Sequence, residues 1–285
     1  MKKGAVIILY HPQVAHLTST VNTLSASGWP VVLVDNSPSP LSERWPDNVT
    51  YIHFPSNIGI AAAQNRGIDA LIAAQCKRIL VLDQDSNIIE QMLLQLDESF
   101  SQAQQVFQNV AAIGPLIICE FIDAPVQPKF QKVLEQHENL ARVKQIIASG
   151  MLISADAYAD IGAKDENLFI DGVDHEWCWR ARDKGYSIVQ CTNIPMRHKQ
   201  GDARHRILGV TFKQGAPIRL YYQVRNVLIL SRRRYVPLYW KLRHISALPL
   251  RWAVNRWIFP QGKQRGYFIR RGLLDGIRGR SGKFK

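Results

Sequence analysis

The feature of this sequence that most constrains its fold is an alternation of short β-branched runs with longer amphipathic stretches. Apolar runs typical of buried strands occupy residues 5–10, 31–34, 51–54, 78–82 and 110–113. Apolar residues at helical spacing occupy residues 12–27, 60–75 and 88–107. Because parallel strands need long, usually helical connections, this alternation predicts an α/β fold with a mostly parallel sheet flanked by helices.

The remainder of the chain divides into two parts with different patterns. Up to residue 214 we expect a loop with some helix at 120–146, a strand at 147–153, and helices at 155–161 and 173–184. Beyond about residue 215, strand patterns fade and Arg, Trp, Tyr and Leu interleave, which is typical of a basic helical region. The segment Gly215-Ala216-Pro217 is typical of a hinge. We therefore expect an α/β domain of residues 1–214 and a helical region of residues 215–285.

The positive charge of the chain is concentrated towards its C-terminal end. Of the 285 residues, 36 are Lys or Arg and 23 are Asp or Glu, which gives a net charge of +13. Residues 197–285 carry 22 of the basic residues and only two acids, a net charge of +20, whereas residues 1–196 carry −7. This asymmetry indicates a polyanionic partner, which is nucleic acid, an anionic membrane surface or a phosphorylated substrate.

Aromatic residues in the basic region favour a membrane surface among these partners. Tryptophans alternate with arginines there, namely Trp240, Trp252 and Trp257 with Arg243, Arg251 and Arg256. Basic side chains with interfacial aromatics suit a helix that lies on an anionic leaflet. No RNA- or DNA-binding motif accompanies the charge, so nucleic acid is the weaker rival. A solvated helical face or a contact between copies of the chain are the other interpretations.

Two classes of protein are disfavoured by the sequence. No run approaches the roughly 18 consecutive apolar residues of a membrane-spanning helix, and the start of the chain does not resemble a secretory signal, so we expect a cytoplasmic protein. The four cysteines, at positions 76, 119, 178 and 191, show no CxxC pairing and no histidine at zinc-finger spacing. We therefore expect reduced, mostly buried thiols rather than a disulfide or zinc scaffold.

Three carboxylates follow predicted strands at the point where each strand ends. Asp35 follows the second strand, and Asp83 and Asp85 follow the fourth. Ligands of open α/β sheets bind at the carboxyl ends of strands. Two carboxylates one residue apart can share a divalent cation that also holds a diphosphate. The alternative for each of the three is a turn-forming aspartate without further function.

A third acidic cluster opens the predicted helix at 173–184. Asp174 would lie in its first turn, where the helix dipole favours a carboxylate. Glu176 and Arg180 are four residues apart, so they can pair on one helix face. This pairing would leave Asp174 freer to act as a general base. The alternative is a capped helix with a surface ion pair.

Taken together and in order, these motifs resemble a known family. They are Val34 to Ser37, Asn57-Ile58-Gly59, Ala61 to Gly67, Asp83 to Ser86, Ser149-Gly150, Asp174 to Arg180 and Arg197-His198. Over about residues 4–235 the chain resembles a family 2 inverting glycosyltransferase of the nucleotide-diphospho-sugar transferase fold, called GT-A, which is Rossmann-like. More narrowly, it is similar to bacterial rhamnosyltransferases of polysaccharide and O-antigen assembly.

The resemblance implies a donor site at the strand ends. Asp35 would contact the nucleobase or ribose of the donor, and Asn57 with Asn65 would line the nucleotide pocket. Asp83 would bind the ribose or organise the site. Asp85 would coordinate Mg²⁺ or Mn²⁺ that bridges the diphosphate. His198 would complete the metal or diphosphate site, although a lone histidine is as often structural.

The resemblance also implies that Asp174 is the base that deprotonates the acceptor hydroxyl. Many relatives have an acidic residue immediately before the base, whereas this chain has Val173 there. Asp171 is therefore either a compensating acid or the base itself, and we favour Asp174. Glu176, Arg180 and Gly150 would have supporting roles.

The expected function is that of an inverting glycosyltransferase, which moves a sugar in one metal-assisted displacement. The resemblance implies dTDP-rhamnose as donor and a lipid-linked saccharide as acceptor, at the inner face of the cell membrane. A UDP-sugar donor is an alternative. A sugar nucleotidyltransferase would normally carry a Gly-rich basic loop after the first strand, where this chain has Tyr10-His11-Pro12-Gln13. The rival from another class is a non-catalytic membrane or nucleic-acid adaptor, which would lose no function on substitution of Asp85 or Asp174.

Overall fold

The computed structural model of this chain describes residues 1–119, 124–125, 133–198, 203–207 and 210–285. Within these ranges, the side chains of residues 119, 124–125, 198, 203–207 and 210–214 are not described. All statements below refer to the described residues and side chains.

The first part of the chain forms four parallel strands in the order β3-β2-β1-β4. Its elements are β1 (Lys3–Leu9), α1 (Val14–Ala26), β2 (Val31–Asp35), β3 (Val49–His53), α2 (Ile60–Ala73) and β4 (Arg78–Asp83). In register, Asp35 is paired with Leu9 and His53, and Asp83 is paired with Ile8. The carboxyl ends of these strands therefore meet at one edge, as the alternating pattern predicts.

The second part extends this sheet with strands of mixed direction. Its elements are α3 (Glu90–Val106), β5 (Val110–Cys119), β6 (Ala124–Pro125), β7 (Glu135–His137), β8 (Leu140–Val143), β9 (Met151–Ser154), α4 (Ala155–Ile161), a 3₁₀ turn (Glu166–Leu168), α5 (Val173–Asp183), β10 (Ser187–His198), β11 (Ala203–Ile207) and β12 (Val210–Gln214). The sheet continues from β4 in the order β9-β5-β10-β8-β7, with β6 added to β5. Strand β9 is antiparallel to both β4 and β5, and β10 is parallel to β5.

The expectation of a loop with some helix at 120–146 is wrong for the described residues. Instead, β7 and β8 form antiparallel strands there, and β8 is paired with β10. Strand β10 and the β11-β12 hairpin were not predicted at all. The α/β class is confirmed, but the large sheet is mixed rather than mostly parallel: its described strands form four parallel and five antiparallel pairings, because β9 enters antiparallel between β4 and β5 and the edge strands β6, β7 and β8 are also antiparallel to their neighbours.

The core lies on both faces of the sheet, because the side chains of each strand alternate between them. Along β1, Ala5, Ile7 and Leu9 pack on the face covered by α1 and α3, whereas Val6 and Ile8 pack on the face covered by α2. Each large aliphatic side chain buried in this way stabilises the fold by about 1.5–3 kcal/mol. The two apolar layers hold the strand ends rigidly in place.

The last part of the chain is helical, as expected. It forms α6 (Pro217–Ser231), α7 (Leu238–Ser246), α8 (Leu248–Trp257) and α9 (Gly262–Ile277). Helix α6 packs along α9 and buries one face that includes Tyr221, Tyr222, Arg225 and Asn226. Helix α7 has no fully buried residue, but some of its side chains, among them His244, are half-buried. Over the described residues, no helix is both long and apolar enough to cross a bilayer.

Candidate active site

A cleft of about 200 Å³ opens at the carboxyl ends of β1, β2 and β4. Its wall is completed by the loop that precedes α2 and the loop that precedes α5. The lining residues are Ile8, Leu9, Tyr10, Asn36, Asn57, Gly59, Ile60, Asp83, Gln84, Phe169 and Ile170. Of the residues singled out in the sequence, Asn57 and Asp83 line this cleft, whose position at the strand ends is that of ligand sites in open α/β sheets.

Asp35 ends β2 beneath the cleft, and its carboxylate stabilises the turn of residues 35–37. Its side chain is fully buried, and both carboxylate oxygens have protein donors: the Ser37 N–H at 2.8 Å and the Tyr51 hydroxyl at 2.6 Å. Burial and the hydrogen bond to Asp35 raise the pKa of Tyr51 to about 12. The expectation that Asp35 contacts the nucleotide stays a prediction; in this structure its carboxylate is enclosed by protein. Its neighbour Asn36 lines the cleft instead.

The two asparagines expected in the nucleotide pocket have different positions. Asn57 accepts a hydrogen bond from the Gly59 N–H at 2.8 Å and lines the cleft. Gly59 has φ +90°, and a Cβ there would lie 2.6 Å from the Phe169 ring, so this close approach requires glycine. Asn65 is buried and ties α2 to residues 158–166, and it is not among the residues that line the cleft. Its expected role in the nucleotide pocket stays a prediction.

The Asp83-Gln84-Asp85 segment is fixed on one side and open on the other. The Asp83 carboxylate accepts a hydrogen bond from the Ser149 hydroxyl. The Gln84 side chain bonds the Tyr10 N–H at 2.6 Å and the Tyr10 carbonyl at 3.1 Å, which ties β4 to β1. Asp85 is exposed, and its carboxylate has no hydrogen-bond or ion-pair partner among the described residues. The outer carboxylate is thus available to a ligand.

Gly150, next to Ser149, allows β9 to begin against β4. Its φ is +79°, and its N–H donates to the Val81 carbonyl at 3.0 Å. A Cβ at this position would lie 2.8 Å from Pro115 and 2.9 Å from Met196. The Ser149-Gly150 pair therefore holds Asp83 through a turn that only glycine fits.

His198 is the last residue of β10, and its side chain lies outside the described part of the structure. Its expected role in a metal or diphosphate site remains a prediction. Within the described residues, no group of three or more His, Cys, Asp or Glu side chains is placed to hold a metal ion.

Asp174 lies in the first turn of α5 and is not free of partners, contrary to expectation. The Lys164 Nζ donates to Asp174 Oδ1 at 3.0 Å, and the Lys164 side chain is fully buried whereas that of Asp174 is 25% exposed. The second carboxylate oxygen of Asp174 has no partner among the described residues. The buried Lys164 ammonium group thus fixes Oδ1 of Asp174, whereas Oδ2 stays without a described partner.

Asp171, the alternative base, is engaged through both of its oxygens. The Arg219 guanidinium donates to Oδ1 and Oδ2 with three N···O distances of 2.9, 2.9 and 3.2 Å. A forked arginine pair of this kind is geometrically specific. Asp171 therefore serves as an anchor between the loop before α5 and helix α6.

Glu176 lies at the centre of a buried ionic cluster. It is paired with Arg180 at 2.9 and 3.2 Å, as the sequence spacing predicts, and also with Arg233 at 3.0 Å and the Tyr235 hydroxyl at 2.6 Å. Burial and the bond to Glu176 raise the pKa of Tyr235 to about 12. Arg233 continues the cluster to Asp165. The pair is thus not a surface ion pair, and its contacts join α5 to the segment after α6.

Solved structures share this architecture at low sequence identity. GalNAc-T7 with UDP, GalNAc and Mn²⁺ superposes over 98% of this chain with a TM-score of 0.58 and 14% identity, and the chain spans 56% of the length of that protein chain. S. aureus TarS 1–349 in complex with UDP superposes over 98% of this chain and 80% of its own, with a TM-score of 0.54 and 11% identity. These similarities establish the fold.

A curated relative shows the family. The dTDP-rhamnosyl transferase RfbF of Shigella flexneri is 30% identical over 289 residues, which cover 98% of this chain and 96% of the relative. The chain belongs to the GT-A glycosyltransferases. The low-salt glycan biosynthesis hexosyltransferase Agl10 of Haloferax volcanii is also similar to it, 26% identical over 88% of this chain and 84% of its own. No protein-family model matches the chain. The expected fold, family and enzyme class are thereby confirmed, and this glycosyltransferase resembles rhamnosyltransferases.

Several residues at this site were not anticipated from the sequence. They are Asn36 and Gln84 in the cleft, Phe169 and Ile170 on its rim, Lys164 at Asp174, and Arg219, Arg225 and Asn226 on α6. Asn36 and Gln84 each stand beside an aspartate at a strand end, so the strand-end rule could have found them. Lys164 and Asn226 carry no comparable local signal.

Proposed function

We propose that this glycosyltransferase moves L-rhamnose from dTDP-rhamnose onto a lipid-linked saccharide, with inversion at the anomeric carbon, in the assembly of a cell-surface polysaccharide such as O-antigen. The observation that carries the proposal is one sheet edge that holds both the cleft at the strand ends and the start of α5. Phe169 and Ile170 line the cleft, and Asp174 follows four residues after Ile170. The whole-length similarity to a dTDP-rhamnosyl transferase supports the choice of donor.

The residues at the end of β4 fit a divalent cation, Mg²⁺ or Mn²⁺, that is shared with the donor diphosphate. Hard cations prefer carboxylate oxygens, and Mg²⁺ commonly takes only one or two from the protein when phosphates supply others. Asp85 offers an exposed carboxylate without a described partner, one residue from the cleft-lining Gln84. A cation held there would neutralise the charge that develops on the leaving diphosphate. The Mn²⁺ in the GalNAc-T7 structure supports this assignment.

Asp174 supports the proton transfer better than Asp171, because only Asp174 keeps a carboxylate oxygen without a described protein donor. Lys164 fixes Oδ1, so Oδ2 is the atom that would accept the acceptor hydroxyl proton. The acceptor oxygen attacks the anomeric carbon on the face opposite the nucleotide. The bond from that carbon to the diphosphate oxygen breaks, and its electron pair leaves with dTDP. One displacement with one base inverts the anomeric centre.

The acceptor side of the proposal rests on the helical region. Leu238, Leu242 and Ile245 lie on one face of α7 at i, i+4 and i+7, and all three are exposed. Residues 217–257 contain nine Lys or Arg and no acid. A basic helix with an exposed apolar face suits the surface of an anionic leaflet, where a lipid-linked acceptor resides. We therefore propose a peripheral location on the inner face of the cell membrane.

Ligand-induced stabilisation tests the donor and the metal together. We expect dTDP with Mn²⁺ to raise the melting temperature of the wild type, since a ligand at 100 times its dissociation constant adds about 2.7 kcal/mol. Asp85→Asn should lose this metal-dependent part. The control is Asp47→Asn, because Asp47 is an exposed acid before β3, at the opposite end of the sheet.

The same assay identifies the outcomes that would contradict the proposal. Stabilisation by UDP but not by dTDP would remove rhamnose as the transferred sugar. Equal stabilisation of wild type and Asp85→Asn would remove Asp85 as the metal ligand. No stabilisation by dTDP, UDP or GDP would refute the nucleotide-sugar site at this cleft.

A further inference from the structure

We propose that Arg225 and Asn226 of helix α6 are positioning residues for the active site, because they hold the loop of residues 167–172 in its shape. This inference rests on the proposed function, since it assigns that loop to the rim of the donor cleft and to the approach of Asp174. It makes the helical region a working part of the catalytic unit.

The loop has a backbone that needs outside support. Phe169 has φ +64° and ψ −62°, Asp171 has φ +67°, and Gly172 has φ +88°. Non-glycine residues rarely adopt positive φ, and they keep it only where surrounding contacts over-determine the backbone. Two of the three residues with positive φ are non-glycine, so contacts from other elements must fix this loop.

Asn226 provides three of these contacts from one side chain. Its Nδ2 lies 3.0 Å from the Leu168 carbonyl, 2.8 Å from that of Ile170 and 2.8 Å from that of Asp171. Its Oδ1 accepts from the Arg225 Nε at 3.0 Å. Three carbonyl oxygens on one side and an N–H donor on the other fix the orientation of the amide. Asn226 thus bridges successive turns of the loop main chain.

Arg225 fixes the start of the same loop. Its Nη2 donates to the Asn167 carbonyl at 3.1 Å and to the Leu168 carbonyl at 3.0 Å, and its Nη1 donates to the Gly282 carbonyl. The guanidinium also lies over the rings of Tyr221 and Tyr222, 5.3 and 5.1 Å from their centroids. It is fully buried, and the bonds described here are to neutral groups. A buried charge is costly unless hydrogen bonds satisfy it, and here main-chain carbonyls of the loop accept those bonds. The Arg225 guanidinium therefore favours the loop conformation that presents these carbonyls to it.

Other contacts of α6 also hold the loop of residues 167–172 in place. The Phe169 ring stacks on Tyr222 with centroids 4.9 Å apart and planes at 14°, and Arg219 holds Asp171. On the opposite side, the Ile60 N–H donates to the Phe169 carbonyl at 2.8 Å. The loop is thus held between α2 and α6, with Phe169 directed to the cleft. Loosening α6 should therefore disturb both the cleft rim and the start of α5.

The test uses the full-length chain with Asn226→Ala and the matched control Asn255→Ala. Asn255 is also buried in the helical region, where it donates to the Arg251 carbonyl of its own helix at 2.8 Å. Hydrogen exchange measured by mass spectrometry reports residues 166–176, and sugar transfer is measured well below the melting temperature. We expect Asn226→Ala to speed exchange in that segment at least tenfold and to lower kcat at least tenfold, with acceptor KM changed less than twofold. Asn255→Ala should leave the exchange of residues 166–176 as in the wild type.

The other outcomes would contradict either the positioning role of α6 or the proposed glycosyltransferase function. Unchanged exchange in residues 166–176 of Asn226→Ala, or an equal change in Asn255→Ala, would overturn the positioning role. If Asn226→Ala does not fold, Arg225→Lys takes its place, since it keeps the charge and loses the forked contacts to Asn167 and Leu168. A wild type that transfers no sugar refutes the proposed function, whereas the exchange measurement still decides whether α6 fixes the loop.

Discussion

Removing the carboxylate of Asp174 should destabilise the fold as well as abolish transfer. In Asp174→Asn the side chain still accepts a hydrogen bond, but the fully buried Lys164 ammonium loses its counter-charge. Removing one partner of a buried pair costs about 3–5 kcal/mol. Because Asp174 is 25% exposed, solvent screens part of the interaction, so we expect about 2–3 kcal/mol, which is below that range.

This cost can be read as a shift in melting temperature. At about 2.1 cal/mol/K per residue, the unfolding entropy of a 285-residue chain is about 0.6 kcal/mol/K. A loss of 2–3 kcal/mol then lowers the melting temperature by about 4 °C. Thermal and urea unfolding followed by circular dichroism measure this difference.

The matched variant is Lys164→Met, which leaves a partly exposed carboxylate in the first turn of α5, where the helix dipole favours it. We expect that variant to lose less than about 1 kcal/mol, and the double variant to lie within about 1 kcal/mol of the wild type, because neither contains a buried unpaired charge. The double variant should fold well and still transfer no sugar, which separates catalysis from stability. Single effects that add within about 0.5 kcal/mol in the double variant would refute the reasoning.

Three further predictions concern pH, the membrane and the turn at β9. Burial and neighbouring arginines lower the pKa of His244 to about 4, so the unfolded chain binds this proton first on acidification, and stability falls between about pH 6.5 and pH 4. Between pH 7 and pH 5, the free energy of unfolding measured with urea should fall by up to about 2 kcal/mol less in His244→Gln than in the wild type. An equal fall in both proteins would contradict this prediction. Leu242→Gln should weaken co-sedimentation with phosphatidylglycerol vesicles about tenfold, since burying a leucine is worth about 1.5–3 kcal/mol. The control Leu94→Gln changes an equally exposed leucine on α3 and should leave vesicle binding unchanged. Equal effects of the two substitutions would exclude α7 as the membrane face. Gly150→Ala should lower stability by about 1–3 kcal/mol because its Cβ would overlap Pro115, and an unchanged melting temperature would show that the turn adapts.

The sequence anticipates the first part of the fold well, because each element there carries its own periodicity. Strands β1, β2 and β4 are unbroken apolar runs, and the helices between them have apolar faces. Strand β10, by contrast, contains polar residues, Pro195 and two register shifts, so its strand pattern is interrupted. Strands β7 and β8 are short pieces at the sheet edge that gain their structure from pairing with β10 and with each other.

In the candidate site, too, residues with a local sequence signal could be predicted, whereas residues that depend on tertiary contacts could not. The acids at strand ends are local signals, and one of them, Asp83, lines the cleft, with Asp85 exposed two residues further on. Lys164 is a single basic residue next to acids, typical of a surface, and only the tertiary fold buries it against Asp174. Asn226 lies in a basic, aromatic stretch whose composition indicates a membrane surface, and its role depends on a loop more than 50 positions away.

The insertion of β9 between β4 and β5 has a consequence for synthesis on the ribosome. Strand β9 is the partner of Val81 in β4 and of Ala112 and Ile113 in β5, yet it comes more than 30 residues after β5. Until residue 154 has emerged, both earlier strands present an unpaired apolar edge, and such edges template association between chains. Nascent chains that pause between residues 119 and 151 should therefore be the most dependent on chaperones and the most prone to aggregate.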